Sequence, residues 1–297
     1  MAEQDPLDFT GKHLAVLGVA DESSIAWAMA QAFHRRGAVV RVGHQQKFLS
    51  RVTALLARHP GIQAQRCDVL EPGDLESFFQ GYAPGTLHGL IHAVAFGPAP
   101  VFTQPPSAWT REDFNHTLGV SAHSLAAAVG AARDALAPGG SVITLSFQAA
   151  RRHVPWYGAM AAAKAALESL VRALAAELGP RGIRVNAVAP GPIETLAALG
   201  EVLAFLRSPE ALAGQEGILP RAVEAARREA PAEDDLTLAR RVWKHVETEF
   251  ARRTPLGRAL TAEDAAGAAL FLASPLARAI TGQVLDVDGG LSSQLGL

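Results

Sequence analysis

A tyrosine and a lysine seven positions apart are the residues of this chain whose types and spacing best suit chemistry. The chain has two tyrosines, and one of them opens the string Tyr157-Gly-Ala-Met-Ala-Ala-Ala-Lys164. On a helix, positions i and i+7 lie about 20° apart, so both side chains leave the same face. A nearby ammonium favours negative charge on a phenol oxygen, and it can also hold ribose hydroxyls. The pair predicts an anion-stabilising site; the alternative, an exposed pair on a helix surface, fits the Ala-rich flanks less well.

A glycine turn after the first apolar run is a second candidate site. The chain reads Leu17-Gly18-Val19-Ala20 and then Ser24-Ile25, where a helix is predicted to begin. A glycine there lets backbone amides approach a pyrophosphate, and the helix N-terminus adds partial positive charge. One of the three glycines of the dinucleotide fingerprint is present, so an ordinary strand-to-helix turn stays open.

An aspartate after the third apolar run could bind an adenine. Asp68 and Val69 follow Cys67, so the carboxylate could accept a hydrogen bond from the adenine amino group while Val69 packs on the ring. The alternative is that Asp68 caps the next loop, which by itself is the more common role of such a residue.

Short apolar runs that alternate with amphipathic or Ala-rich segments must position these residues. Apolar runs buried on both faces, each followed by a helix, are typical of a parallel doubly wound sheet. The sequence therefore predicts an α/β, Rossmann-like fold with a seven-stranded parallel sheet, in a single domain over 1–297. The predicted strands are 14–18, 38–43, 62–67, 87–95, 141–146, 183–189 and 283–287, and the predicted helices are about 24–36, 47–59, 74–80, 122–137, 158–178 and 262–273.

A long helical insertion at about 198–255 interrupts this alternation. It has no strand signal, and Asp234-Asp235 can cap a helix whose apolar positions are Leu238, Val242, Trp243, Val246 and Phe250. The insertion leaves the sheet at the carboxyl end of a strand, where such folds bind ligands, so we expect a lid over a substrate pocket. An amphipathic surface excursion or a subunit contact is the alternative.

Composition excludes several classes of protein. The chain has 27 Lys and Arg against 29 Asp and Glu, a net charge of −2. It therefore lacks the excess of positive charge that is typical of nucleic-acid-binding proteins. The single cysteine excludes disulfides and a Cys-rich zinc module, and the pair His88 and His92 lacks a carboxylate partner, so we expect no metal. The least polar stretch, 88–102, contains prolines and glycines unsuited to a membrane span, and no secretory leader is recognisable. A cytoplasmic protein is predicted.

Six motifs in register resemble the enoyl-acyl-carrier-protein reductase branch of the short-chain dehydrogenase/reductase superfamily. The resemblance runs from Gly11 to about Leu295, apart from the insertion. The commonest superfamily spacing is Tyr-x3-Lys, but position 161 is Ala161, and the x6 spacing is similar to that of the enoyl reductases. The motifs are Gly18-Val-Ala with Ser24-Ile25-Ala26, Cys67-Asp68-Val69, Tyr157-x6-Lys164, Arg184-Val-Asn186, Pro190-Gly-Pro-Ile193-x-Thr195-Leu-Ala197 and Asp286-Val-Asp-Gly-Gly290.

This resemblance implies NADH-dependent reduction of the 2,3 double bond of a trans-2-enoyl thioester, in fatty-acid-type biosynthesis. Tyr157 and Lys164 would be catalytic: Tyr157 would hydrogen-bond the enolate oxygen, and Lys164 would hold the nicotinamide ribose. The implied cofactor-binding residues are Gly18, Ala20, Ser24, Ile25, Gln45, Asp68, Val69, Ala93, Ala95, Lys164, Ile193 and Thr195. The implied substrate-binding residues are Phe96, Phe147, Tyr157, Met160 and Leu196. An acyl carrier protein or coenzyme A thioester as substrate and a homotetrameric assembly are also implied.

Departures from the family pattern concern substrate and cofactor. Phe147 stands where many relatives have a second tyrosine, alanines stand at 93 and 95 where serine and glycine are usual, and Glu194 stands where arginine is common. A glutamine matching Gln45 goes with NADH in the family, whereas Arg41 and Lys47 are basic, so NADPH stays open. The insertion is longer than the usual substrate loop. A carbonyl reductase or alcohol dehydrogenase on the same fold, and a non-catalytic dinucleotide-binding sensor, are the alternative functions.

Overall fold

The computed structural model describes residues 5–213, 217–230 and 233–294, and a parallel sheet forms its centre. The other residues, which include both chain ends and parts of the predicted insertion, lie outside this description. Within the described residues the strands are β1 (His13–Leu17), β2 (Val39–His44), β3 (Gln63–Arg66), β4 (Leu87–His92), β5 (Leu136–Leu145), β6 (Arg184–Pro190) and β7 (Val284–Val287). They pair in parallel in the order β3-β2-β1-β4-β5-β6-β7. The predicted seven-stranded, Rossmann-like α/β fold is confirmed.

Helices cover both faces of the sheet and build a core on each. Phe78, Leu125 and Leu167 bury one face, while Trp27 and Phe33 pack with their neighbours on the other. Because both faces are covered, strand residues such as those of β6 are buried throughout, which explains their continuous apolar runs. The α-helices are α1 (Ile25–Arg35), α2 (Leu49–Arg58), α3 (Pro72–Gln80), α4 (Pro100–Thr103), α5 (Arg111–Leu118), α6 (Ser124–Ala131), α7 (Gly158–Leu178), α8 (Leu196–Arg207), α9 (Ile218–Glu229), α10 (Asp235–Arg253) and α11 (Ala262–Ala273).

The sequence prediction is wrong at one helix-to-strand boundary. The helix expected over about 122–137 ends at Ala131, after a π-helical turn at Gly119–His123, and β5 already begins at Leu136. Pairing with a distant strand explains the early end, because the Leu87 amide donates to the Ala135 carbonyl at 2.8 Å. Pro138 also cannot continue a helix.

The other boundaries differ from the prediction by a few residues. The strand expected over 87–95 ends at His92, because the Ala93 amide makes the last bond to β1, to the Leu17 carbonyl at 3.1 Å. Ala93 to Ala95 therefore leave the sheet. Strand β3 is shorter than the predicted 62–67, and α2 begins after a 3-10 turn at Gln46–Phe48.

The predicted insertion is helical in its described part and has an apolar core of its own. Helices α8, α9 and α10 bury a cluster that includes Phe205, Leu219 and Val242. As the sequence predicts, Asp234 caps α10: its Oδ1 accepts from the amides of Leu236 at 3.0 Å and Thr237 at 3.2 Å. We name α8, α9 and α10 the helical cover. The assignment of the whole chain to one domain, with this segment as a lid, stays a prediction.

Two further features concern membranes and metals. Over the described ranges no helix is both long and apolar enough to cross a membrane. In the same part of the chain no group of three or more His, Cys, Asp or Glu side chains could hold a metal ion. His92 is a core residue, bonded to Thr144 at 3.0 Å and Ser124 at 2.8 Å, and its burial lowers its pKa to about 3.

Candidate active site

A cavity of about 600 Å³ lies between the carboxyl ends of the central strands and the helical cover. The chain leaves β1 at Gly18, β4 at Ala93 and β5 at Ser146 along its wall. The strand order reverses between β1 and β4, and doubly wound sheets bind ligands at such a point. The cavity is of the size that holds a cofactor or small-molecule ligand.

The predicted Tyr/Lys pair meets at this cavity. Tyr157 is the cap residue of α7, Lys164 follows two turns later, and both line the wall. Lys164 is 4% exposed, and its Nζ donates to the Leu145 carbonyl at 2.8 Å, which fixes the ammonium at the end of β5. Burial lowers the pKa of Lys164 to about 8, and the charge of Glu168 acts in the opposite direction. The lysine is therefore still an ammonium at neutral pH.

Glu168 anchors the site from behind, and sequence reasoning missed it. Its Oε1 accepts from the Ser146 hydroxyl at 2.7 Å and lies 3.5 Å from Nε of Arg151. Arg151 in turn forms a bidentate ion pair with Asp286, which holds the pKa of Arg151 above its usual value. The available signal was helical spacing, because Lys164 and Glu168 stand at i and i+4 on α7.

The backbone around Tyr157 is tightly constrained. Trp156 has φ of +61° and Gly158 has φ of +49°, and a Cβ on Gly158 would collide with the Val101 carbonyl oxygen. The Phe147 ring lies 4.8 Å from the Tyr157 ring, centroid to centroid. Burial raises the pKa of Tyr157 well above its usual value, and the charge of Glu201 raises it further. The phenol therefore stays protonated.

The turn after β1 presents free backbone donors to the cavity. Gly18 has φ of +99°, and a Cβ there would overlap the Ala93 carbonyl oxygen, so this position requires glycine. The amides of Ala20 and Ile25, both on the wall, have no acceptor within the described residues. Ser24 caps α1: its Oγ accepts from the Trp27 amide at 3.3 Å. The geometry matches an anion-binding helix N-terminus.

Asp68 is the one predicted site residue that does not line the cavity. Its Oδ1 accepts from the Leu70 amide at 3.1 Å, as in the loop-capping alternative, and its Oδ2 accepts from Gln45 at 2.9 Å. Gln45 and Val69 lie on the wall, so Asp68 positions Gln45 from behind. The other predicted residues on the wall are Gly18, Ala20, Ser24, Ile25, Ala93, Ala95, Phe96, Phe147, Tyr157, Met160, Lys164, Ile193, Thr195 and Leu196.

The two basic residues after β2 differ in position. The Arg41 guanidinium lies 4.5 Å from the Tyr82 ring centroid and donates to the Phe78 carbonyl at 3.3 Å, so it is engaged away from the cavity. Lys47 lines the cavity, and its Nζ lies 5.4 Å from the Phe96 ring centroid. Glu194, singled out as a departure, lies 3.6 Å from Arg240 of α10.

Several further wall residues were not among the predicted site residues, and Cys67, Glu201 and Trp243 are examples that carry a polar or ionisable group. Cys67 is buried, and burial raises the pKa of its thiol to about 12. Glu201 of α8 and Trp243 of α10 line the cavity from the helical cover. The sequence signal for Glu201 was a single acid inside the apolar run of 196–206.

Fold and site together define a dinucleotide-binding α/β protein with a Tyr/Lys pair at its ligand cavity. The sequence profile of the family described as Enoyl-(Acyl carrier protein) reductase matches residues 18–226 and 214–292. The chain belongs to this family, and the resemblance seen in the sequence is confirmed.

Individual relatives align over nearly their full length. The enoyl-[acyl-carrier-protein] reductase [NADH] FabI of Escherichia coli is 34% identical over 287 residues, with 95% of each chain covered. The protein of the same name from Nostoc sp. is 35% identical, with 96% of this chain and 97% of the relative covered. The solved structure of enoyl-[acyl-carrier-protein] reductase (NADH) from Aquifex aeolicus superposes with a TM-score of 0.77 at 29% identity, covering 97% of this chain and 99% of that one.

Proposed function

We propose that this protein reduces the 2,3 double bond of a trans-2-enoyl thioester with NADH. The observation that carries the proposal is the Tyr157 phenol and the buried Lys164 ammonium on the wall of one cavity. Both belong to a chain of the enoyl reductase family, whose relatives carry NADH in their names. Acyl carrier protein in those names supports a carrier-bound acyl group as the substrate.

The wall residues fit a nicotinamide dinucleotide. The unpaired amides of Ala20 and Ile25 suit the pyrophosphate, and Gln45 with Val69 would contact the adenosine half. Ile193 and Thr195, at the entry of α8, would contact the nicotinamide half. The reduced cofactor would supply a hydride to the β-carbon of the enoyl group. Engagement of Arg41 by Tyr82 favours NADH over NADPH.

Tyr157 stabilises the charge that develops during reduction. Hydride addition at the β-carbon would put negative charge on the thioester oxygen, to which the phenol donates a hydrogen bond. A proton from solvent, taken up at the α-carbon, would complete the reduction. Because burial keeps the phenol protonated, the donor is present in the ground state at neutral pH. Phe147, 4.8 Å away, restricts the ring.

Lys164 would hold the nicotinamide ribose and supply positive charge beside the phenol. Its ammonium is fixed by the Leu145 carbonyl, and the remaining N–H groups are available to ribose hydroxyls. The positive charge beside the phenol favours negative charge on the substrate oxygen. Glu168 is a positioning residue, because it holds Ser146 and Arg151 behind the lysine.

The remaining walls suit an acyl chain. Phe96, Phe147, Met160 and Leu196 give apolar surface, and the helical cover closes the opposite side. We place the acyl group between this surface and α8, with the cover acting as a lid. A homotetramer and the choice between acyl carrier protein and coenzyme A remain part of the proposal.

The test follows the loss of NADH absorbance with trans-2-enoyl thioesters of increasing chain length. Tyr157→Phe and Lys164→Ala are expected to lose turnover. The matched controls are Tyr82→Phe, which removes a buried hydroxyl without a partner among the described residues, and Lys12→Ala, on the exposed surface. Both controls are expected to keep turnover. NADH binding without reduction of any enoyl thioester would contradict the proposal, and a ketone panel would then test the carbonyl reductase alternative.

A further inference from the structure

Helix α8 places an unpaired carboxyl on the wall of the acyl cavity. Glu201 lines the cavity, and within the described residues its carboxyl has no hydrogen-bond or ion-pair partner. Its neighbours on the same helix are apolar: Ala197, Ala198, Val202 and Ala204 share the wall with it. A leucine would pack at this position, whereas an unpaired carboxyl in apolar surroundings is destabilising.

The carboxyl lies near the reacting end of the cavity. It shares the cavity wall with Tyr157, whose phenol the enolate oxygen would approach, and the ionised form of Glu201 raises the pKa of that phenol. Burial raises the pKa of Glu201 to about 8, so at neutral pH the group is mainly a neutral acid that both donates and accepts a hydrogen bond. Trp243 on α10 lines the same cavity, and its indole N–H has no partner in the described part of the chain.

The other charged groups on the cavity wall are cations. Lys164 from α7 and Lys47 from the turn after β2 line the cavity, and neither forms an ion pair with Glu201. Because both side chains are positively charged, they would repel an ammonium group on the acyl chain. A hydroxyl is neutral and can both give a hydrogen bond to a carboxyl and take one from it.

We propose that Glu201 selects acyl chains that carry a hydroxyl group on the carbons just beyond the reduced double bond. This inference rests on the proposed function, since it places the thioester oxygen at Tyr157. The hydroxyl satisfies the carboxyl when the substrate binds, and a plain chain leaves the carboxyl unpaired against methylene groups. Sites built around such a hydrogen bond reject analogues that lack the hydroxyl.

The experiment compares trans-2-enoyl thioesters of equal length with and without a hydroxyl at successive carbons beyond the double bond. For the wild type, kcat/KM is expected to favour one hydroxylated substrate by about tenfold or more. Glu201→Leu is expected to abolish this preference and to raise kcat/KM for the plain chain. Glu201→Gln, which keeps hydrogen-bonding groups, is expected to retain part of the preference.

Glu224→Gln is the matched control, because Glu224 is an exposed acid of α9 outside this cavity. This variant is expected to prefer the hydroxylated substrate as strongly as the wild type does. Calorimetry adds a measurement without turnover: the saturated hydroxyacyl thioester is titrated into the enzyme with oxidised cofactor. Binding is expected to weaken about tenfold in Glu201→Leu relative to the wild type.

The outcomes separate the two proposals. Reduction of plain and hydroxylated chains at equal kcat/KM, or a preference that survives Glu201→Leu, would overturn the role of Glu201 and leave the enoyl reductase function standing. NADH binding with no reduction of any enoyl thioester would instead refute the proposed function. A Glu201-dependent difference in kcat/KM and in the titration supports the inference.

Discussion

Two glutamates near the reactive pair have opposite surroundings. Glu168, on the sheet side, is 5% exposed and is held by the Ser146 hydroxyl and by Arg151. Glu201, on the helical cover, has no such partner among the described residues. The difference teaches that the protein itself satisfies the carboxylate behind the reactive pair, whereas the carboxyl on the cover is left for a ligand to satisfy.

The sheet side of the cavity and the helical cover also differ in how closely their backbones are packed. On the sheet side, Gly18 and Gly158 sit so close to the carbonyls of Ala93 and Val101 that no side chain fits. The cover instead packs around its own apolar cluster, with Phe205 and Val242 inside. Backbone geometry is therefore most closely constrained on the sheet side, and we propose that selectivity for the acyl chain lies on the cover.

The largest effect is expected from removing the internal anchor. Glu168→Ala leaves the Ser146 hydroxyl without its acceptor and removes one of the two carboxylates beside Arg151, which keeps Asp286. The substitution should lower the free energy of unfolding by about 2 kcal/mol. The loss is smaller than for a fully buried pair because Arg151 is 41% exposed. Thermal unfolding measures it, and kcat/KM should fall with KM for NADH nearly constant. Glu201→Ala should leave stability equal or higher; equal losses in both variants would break the comparison.

A substitution at the constrained backbone is expected to rank next. Gly158→Ala introduces a Cβ against the Val101 carbonyl at positive φ, so we expect a loss of about 1–2 kcal/mol and a displaced Tyr157. Denaturant unfolding and kcat measure the two consequences. Gly267→Ala in α11, outside the cavity and with nothing within 4 Å of an added Cβ, is the matched control and should lower neither stability nor kcat. If Gly158→Ala changed neither the free energy of unfolding nor kcat, the backbone on the sheet side would tolerate movement.

The pH dependence of stability sharpens the comparison further. The folded-state pKa of Glu201 is about 8 against 4.5 when exposed, so its protonated form stabilises the fold at low pH. This contribution is fully present below about pH 4.5 and is lost as the pH rises through 8. Glu201→Gln should therefore show a smaller drop in Tm between pH 5 and pH 8 than the wild type. If Tm dropped equally in Glu201→Gln and in the wild type, the carboxyl of Glu201 would have a partner in solution.

The smallest effect is expected at the cofactor end of the cavity. Lys47→Ala removes an exposed cation whose recorded contacts, among the residues that the structure describes, are two aromatic faces, at 5.1 Å from the Phe48 centroid and 5.4 Å from that of Phe96. The KM for NADH should change less than twofold, and the KM for NADPH should rise modestly. Steady-state kinetics with both cofactors measures this. A large increase in KM for NADH would assign Lys47 to its binding.

Local patterns predicted the sheet side better than the cover. Tyr157 and Lys164 were found because helical periodicity depends on neighbouring residues, and β6 because both of its faces are apolar. The early end of α6 depends on pairing of Leu136 with Leu87, which lies far away in sequence. Likewise, Asp68 accepts from Gln45 across 23 positions, so the sequence could not distinguish an adenine ligand from a support.

The cover was harder for a related reason. Helix α8 is apolar on most sides, so its sequence does not show which side faces a cavity. That Glu201 lines the cavity became visible only once α10 and α7 were packed around it. The sequence shows the glutamate itself, but it does not show which residues of other helices surround it.

The single cysteine has a practical consequence for watching the cover at work. Cys67 is 4% exposed, and its thiol, with a pKa of about 12, holds almost no thiolate at neutral pH. The native protein should therefore take up maleimide dyes slowly, and a new cysteine on the outer face of α10 would be modified first. A fluorophore attached there would report changes in the surroundings of α10 during turnover, and Cys67 would not need to be replaced.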